Sequence, residues 1–134
     1  MVKKITQKPV NVTANEVSAY LKAQGKYVRA KRKELRLTQA ELGEIIGADQ
    51  SLIAKAECGV ANFSTRTYLA VMKALQIDQR QLADYMQIKM DMFQLLESDQ
   101  NPAKQIRAIK KMLKLPKTTP NEIVLVELAK RALL

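Results

Sequence analysis

An amide, a hydroxyl and an amine lie close together in Gln50, Ser51 and Lys55, each at a position where a short helix would turn it outward. Such groups read nucleic-acid bases. A glutamine amide can pair with adenine N6 and N7, a serine hydroxyl serves donor or acceptor edges, and a lysine ammonium takes guanine O6/N7 or a phosphate. Leu52, apolar among these polar neighbours, suits either a thymine methyl or burial against the preceding helix. Other chemistry is poorly supplied. The chain has no His and a single Cys, Cys58, so it offers no His/Cys metal cluster, no histidine acid–base group and no internal disulfide. The remaining carboxylates and hydroxyls fit caps and solvated faces, so neither an enzyme nor a bound cofactor or metal is expected.

Two short helices must position these groups. Thr38 followed by Glu41 is a capping box, in which hydroxyl and carboxylate satisfy backbone N–H groups of a first turn. Leu42, Ile45 and Ile46 then make one apolar stripe. Gly47 ends that helix, and Asp49 caps the next only two residues later. The second helix, Gln50 to Glu57, puts Ile53 and Ala56 on one face and Gln50, Ser51, Ala54 and Lys55 elsewhere, and Gly59 ends it. Two helices joined by a glycine turn, the second polar on its outer side, are what entry into a major groove requires, although an ordinary helical corner shares the pattern.

The flanking residues extend the pattern. Val28-Arg29, Arg32, Leu37-Thr38-Gln39, Glu57-Cys58-Gly59 and Lys73-Ala74-Leu75 are spaced so that Tyr27 to Ile77 resembles the lambda-repressor-like (Cro-type, or XRE-type) helix-turn-helix family. The resemblance spans about 50 of 134 residues. It departs at Arg36, where the family often has Gly, at Gly43 (Ala), Phe63 (often Pro) and Tyr68 (Leu). It implies a five-helix domain and a set of DNA-binding residues: Gln39 on phosphate at a helix N-terminus, Gln50, Ser51, Leu52 and Lys55 toward bases, and Asn62, Arg29 and Lys33 around them. It also implies that Arg32 and Glu57 form a structural ion pair.

Charge fits an anionic partner. Residues 1–36 carry ten Lys/Arg against two acids, residues 37–103 five against nine, and residues 104–134 eight against two, within a net charge of +10. Met1 to Pro9 has no apolar run of a leader, and no stretch approaches the ~20 apolar residues of a membrane span, so a soluble, cytoplasmic and nucleoid-associated protein is expected.

The whole is read as all-α in three regions: a basic arm at 1–12, extended or an edge strand around Pro9; the helix-turn-helix domain at 13–88; and a helical region at 89–134. In the domain, Thr13 and Glu16 open a helix with Val17, Tyr20 and Leu21 that runs to Gly25. A helix over Tyr27–Arg36 is either separate or continuous with it. Ser64 caps a helix using Leu69, Met72 and Leu75 as core, and Asp78 one that closes the domain near Gln87. Beyond it, Met90–Ser98 suits a short helix, followed by a hairpin of helices starting at Asn101-Pro102 and Thr119-Pro120. A two-helix hairpin cannot bury both apolar faces alone, so it must pack on the domain or on a second copy, with Leu125 and Leu128 as the expected dimer contacts. The function expected is a dimeric repressor on an inverted-repeat operator. The alternatives are the antitoxin of a toxin–antitoxin pair that also autoregulates its operon, and a bridging coactivator. A toxin, an antirepressor or RNA polymerase are the protein partners these readings allow.

Overall fold

A computed structural model describes residues 6–98 and 101–132, with the side chains of residues 96, 98, 102, 129, 131 and 132 outside the description. Among the described residues there are seven helices and no strand: α1 (Ala14–Glu34), α2 (Gln39–Ile46), α3 (Gln50–Glu57), α4 (Thr65–Ala74), α5 (Gln79–Ser98), α6 (Pro102–Met112) and α7 (Asn121–Ala132). Residues 6–12 of the basic arm are exposed and outside any helix; residues 1–5 lie outside the described residues.

The starts of the helices are set by side chains. Thr13, Asp49, Ser64, Asp78 and Asn101 each accept from a backbone N–H two or three residues on, satisfying donors that the first turn cannot pair. At Thr38 the reciprocal bond is present too, with Glu41 Oε1 accepting from the Thr38 N–H at 3.1 Å. The ends are set by backbone reversal. Gly47 is left-handed at φ 69°, and Arg36, Gln76 and Lys114 take the same region at φ 54–57° without being glycine. The residue after each of the three returns its N–H to a carbonyl five residues back (Leu37 to Arg32, Ile77 to Met72, Leu115 to Lys110), which turns the chain sharply into the next segment. Arg36 thus holds the conformation that a Gly would adopt there more cheaply.

Two expectations about helix extent and facing are corrected, and one open alternative is decided. Of the two arrangements open at Gly25 the continuous one holds: α1 runs unbroken from Ala14 to Glu34, and the glycine is needed because α3 comes too close for a side chain. Met90–Ser98 is no separate helix but the end of the 20-residue α5, because neither Gly nor Pro occurs anywhere between Gln79 and Ser98 to interrupt it. One expected core residue also faces outward in each of two helices. In α2, Leu42 is fully buried and Ile46 packs on the core, but Ile45 is 58 % exposed. In α4 the inward stripe is Tyr68, Val71, Met72 and Leu75, and Leu69 faces out. Burial on α1 likewise begins only at Ala23, leaving Val17 and Tyr20 exposed.

Helix α1 packs on α3 and α5, and α2 on α3 and α4. The main core they enclose gathers Tyr27, Val28, Leu42, Ile53, Val71, Met72, Leu75, Leu82 and Tyr85, with Phe63 filling the loop after α3. A second, smaller core joins Ile109 of α6 and Leu113, which caps that helix, to Val124 of α7, with Leu95 of α5 and Leu128 against them. The hairpin is therefore seated on the far end of α5, and α5 carries both cores.

Tyr85 supplies a stability test. Its ring packs against that of Tyr27, tilted by 53° with the centroids 5.0 Å apart, and its buried hydroxyl has no hydrogen-bond partner among the described residues. Tyr85→Phe is expected to stabilise the fold by about 1 kcal/mol, since it removes an unsatisfied buried group and keeps the ring. Burial, and then Tyr27, push the Tyr85 pKa upward. A raised folded-state pKa means stability is complete below the unfolded value near 10 and falls as pH rises through the folded one. Urea melts across that window should show Tyr85→Phe losing less stability than the parent, Tyr68 supplying the remaining loss through its own raised pKa. Equal loss in both proteins would mean that water reaches the hydroxyl.

Candidate nucleic-acid interface

Helix α3 has two unlike sides. Ile53, Ala56 and Glu57 are buried, whereas Gln50, Ser51 and Lys55 are exposed. Leu52 is half-buried against the main core, so of its two expected uses packing accounts for most of its surface. The Asp49 carboxylate accepts from the Ser51 N–H at 3.0 Å, which fixes the first turn and leaves the Gln50 and Ser51 side chains to solvent. Asn62 is exposed in the loop that follows.

The orientation of α3 is set by one buried polar cluster. Arg32 Nε donates to Glu57 Oε2 at 2.7 Å and Nη2 to Oε1 at 2.9 Å, a forked pair whose side chains are 9 % and 2 % exposed. The third guanidinium nitrogen, Nη1, donates to the Leu37 carbonyl at 2.7 Å, tying the turn before α2 into the same cluster. Gln39 Nε2 donates to Glu57 Oε1 at 3.1 Å, so this half-buried amide links α2 to the end of α3. One of its N–H groups is used there, and a second is left for another acceptor. The hydrogen bond to Glu57 raises the pKa of Arg32 and outweighs the opposing effect of burial, so the pair stays charged on the arginine side at every working pH.

Close backbone approach completes the seat. A Cβ on Gly25 would stand 2.7 Å from the Glu57 carbonyl oxygen and collide with that of Ala56, and one on Gly59, at φ 77°, would meet Lys22. Gly43 serves the other side of the turn: its missing Cβ would lie 2.7 Å from the Ala48 carbonyl oxygen. Gly43 therefore permits the tight joint between α2 and α3.

Arg29 and Lys33 are exposed on α1, where the residues facing α3 are Gly25 and Arg32. Sequence reasoning missed two neighbours. Lys22 and Lys26 recur with Arg29 and Lys33 at helical spacing, and all four are exposed, so the solvent face of α1 is a row of cations beginning beside the Gly59 turn. The signal was present in the spacing, but it depends on α1 being continuous through Gly25. Cys58 caps α3 and is exposed. Of the hairpin leucines, Leu125 is 59 % exposed whereas Leu128 is turned toward the second core.

Among the described residues no group of His, Cys, Asp and Glu could hold a metal, and no helix is long and apolar enough to cross a membrane. No protein family, curated protein or solved structure matches the chain.

Proposed function

We propose that this chain is a sequence-specific double-stranded DNA-binding regulator with a five-helix lambda-repressor-like domain, and that it represses transcription as a dimer on an inverted-repeat operator. The observation that carries the reading is the two-sidedness of α3, with Gln50, Ser51 and Lys55 exposed and the opposite face anchored through Glu57. A short helix held that rigidly by its back presents its polar face at a fixed angle, as base reading demands. Gln50, Ser51 and Lys55 read base edges, Gln39 and Asn62 meet the backbone beside them, and the cation row on α1 follows phosphates.

A footprint on DNA flanking the chain's own gene tests this, followed by titration of variants on the protected site and on random DNA. Gln50→Ala is expected to lose ~1–3 kcal/mol on the protected site and little on random DNA, whereas Arg29→Ala or Lys33→Ala weakens both alike and flattens the salt dependence. Equal losses on both DNAs for Gln50→Ala would remove α3 from base reading.

Dimerisation would use the outer face of α7, where Ile123, Leu125 and Val126 are each half exposed or more. Two domains so joined would present their α3 helices about one DNA turn apart, ~34 Å. Leu125→Asp should then sediment as a monomer while keeping its circular dichroism; an unchanged mass would move the contact off α7. The same open face favours one second reading, an antitoxin whose α7 is covered by a toxin instead of by its own copy.

A further inference from the structure

The hairpin carries a groove that the DNA reading does not use. It lies along α6 and the turn into α7 and encloses about 920 Å³. Its floor is apolar, formed by Ile106 and Leu115, both half-buried, and its rim carries Arg107, Lys110, Lys111 and Lys117. Lys110 Nζ donates to the Lys117 carbonyl at 3.0 Å, so its stem closes one side while its charge stays at the surface. None of the four cations is in an ion pair among the described residues. They sit in a stretch, residues 104–134, with only two acids.

We propose that this groove docks an acidic amphipathic helix of another protein. Four unpaired cations around one apolar floor exceed what a single carboxylate or phosphate of a small ligand would neutralise, and match a segment carrying several carboxylates. A DNA backbone would satisfy the rim but has no apolar surface for Ile106 and Leu115 to cover. A flat bilayer would meet the rim and leave the recessed floor empty. A helix with Leu at i, i+3, i+4 and i+7 and Glu beside them satisfies both, its leucines on the floor and its carboxylates on the rim. The inference stands independently of the DNA reading, since it uses none of the residues placed there.

The test uses the full chain and a fluorescein-labelled 15-residue peptide with that Leu/Glu pattern, with a Leu/Lys peptide of the same pattern and a scrambled Leu/Glu peptide as controls. Anisotropy should show binding of the patterned acidic peptide alone. Arg107→Glu with Lys111→Glu should weaken it at least tenfold, Ile106→Ser should weaken it even at high salt, and Lys22→Glu with Arg29→Glu should leave it unchanged. Ile106→Ser is half-buried, so its circular dichroism is compared with the parent; the Arg107/Lys111 variant, on exposed side chains, decides the case if Ile106→Ser unfolds. Equal binding of the scrambled peptide, or equal loss in the α1 and α6 variants, would reduce the effect to net charge and overturn the proposal. So would DNA binding that falls with the α6 variant while peptide binding does not, which would make the rim part of a DNA surface.

Discussion

Glu57→Ala is expected to destabilise the fold by ~3–5 kcal/mol, because it strands the Arg32 guanidinium in a site where the pair is almost wholly out of water. Truncation also removes the carboxylate that accepts from Gln39 and from two of the three guanidinium nitrogens, so α2, α3 and the turn before α2 lose their common anchor together. Arg32→Ala should cost a similar amount, with the Leu37 carbonyl losing its donor as well. Arg32→Lys should recover only part, since a single ammonium cannot make the fork and reach Leu37 at once. Replacing both partners with apolar residues of similar size, Arg32→Met with Glu57→Leu, should cost far less than either truncation alone. Urea melts of the four proteins check this. Single-variant losses below about 1 kcal/mol would mean that solvent screens the pair as it does on an open surface. Because the cluster fixes α3 from behind, the single variants should also, if α3 reads DNA as proposed, lose specific binding although neither side chain touches a base.

Gly25→Ala should be the second severe change, and its sign is informative. In the interior of a solvated helix this substitution stabilises by roughly 0.5–1 kcal/mol. Here the new methyl would enter the carbonyl oxygens of Ala56 and Glu57, which are backbone and cannot rotate away. Helix α1 must separate from α3, and a loss of about 3 kcal/mol is expected. Gly47→Ala is the control: it has open space around it, so it pays only for left-handed backbone, about 1–2 kcal/mol. Thermal melts of the two variants separate crowding from backbone strain. A Gly25→Ala protein as stable as the parent would show that the helices can part without cost and that the seat of α3 is loose.

What could be read from the chain alone was whatever is decided within a few residues. The caps at Thr13, Thr38, Asp49, Ser64 and Asn101 and the left-handed stop at Gly47 follow from bonds spanning two to five positions, and the polar outer side of α3 from the helical period of its own eight residues. The Arg32–Glu57 partners, 25 residues apart, came from the spacing of a resemblance and not from local chemistry. The rest needed the packed molecule. Ile45 and Leu69 looked as apolar as Leu42 and Val71, and only the direction of neighbouring helices turned one pair outward and the other in. Gly25 read either as a stop or as a residue inside one continuous helix. Its place in mid-helix is explained by the α3 carbonyls across from it, and those are invisible in the order of residues. The continuity of α5 and the seating of the hairpin on Leu95 likewise depend on which surfaces meet. Capping and turn energies are local and act whatever the fold, whereas facing, close approach and shared cores arise from contacts between segments that the chain brings together only when it is folded.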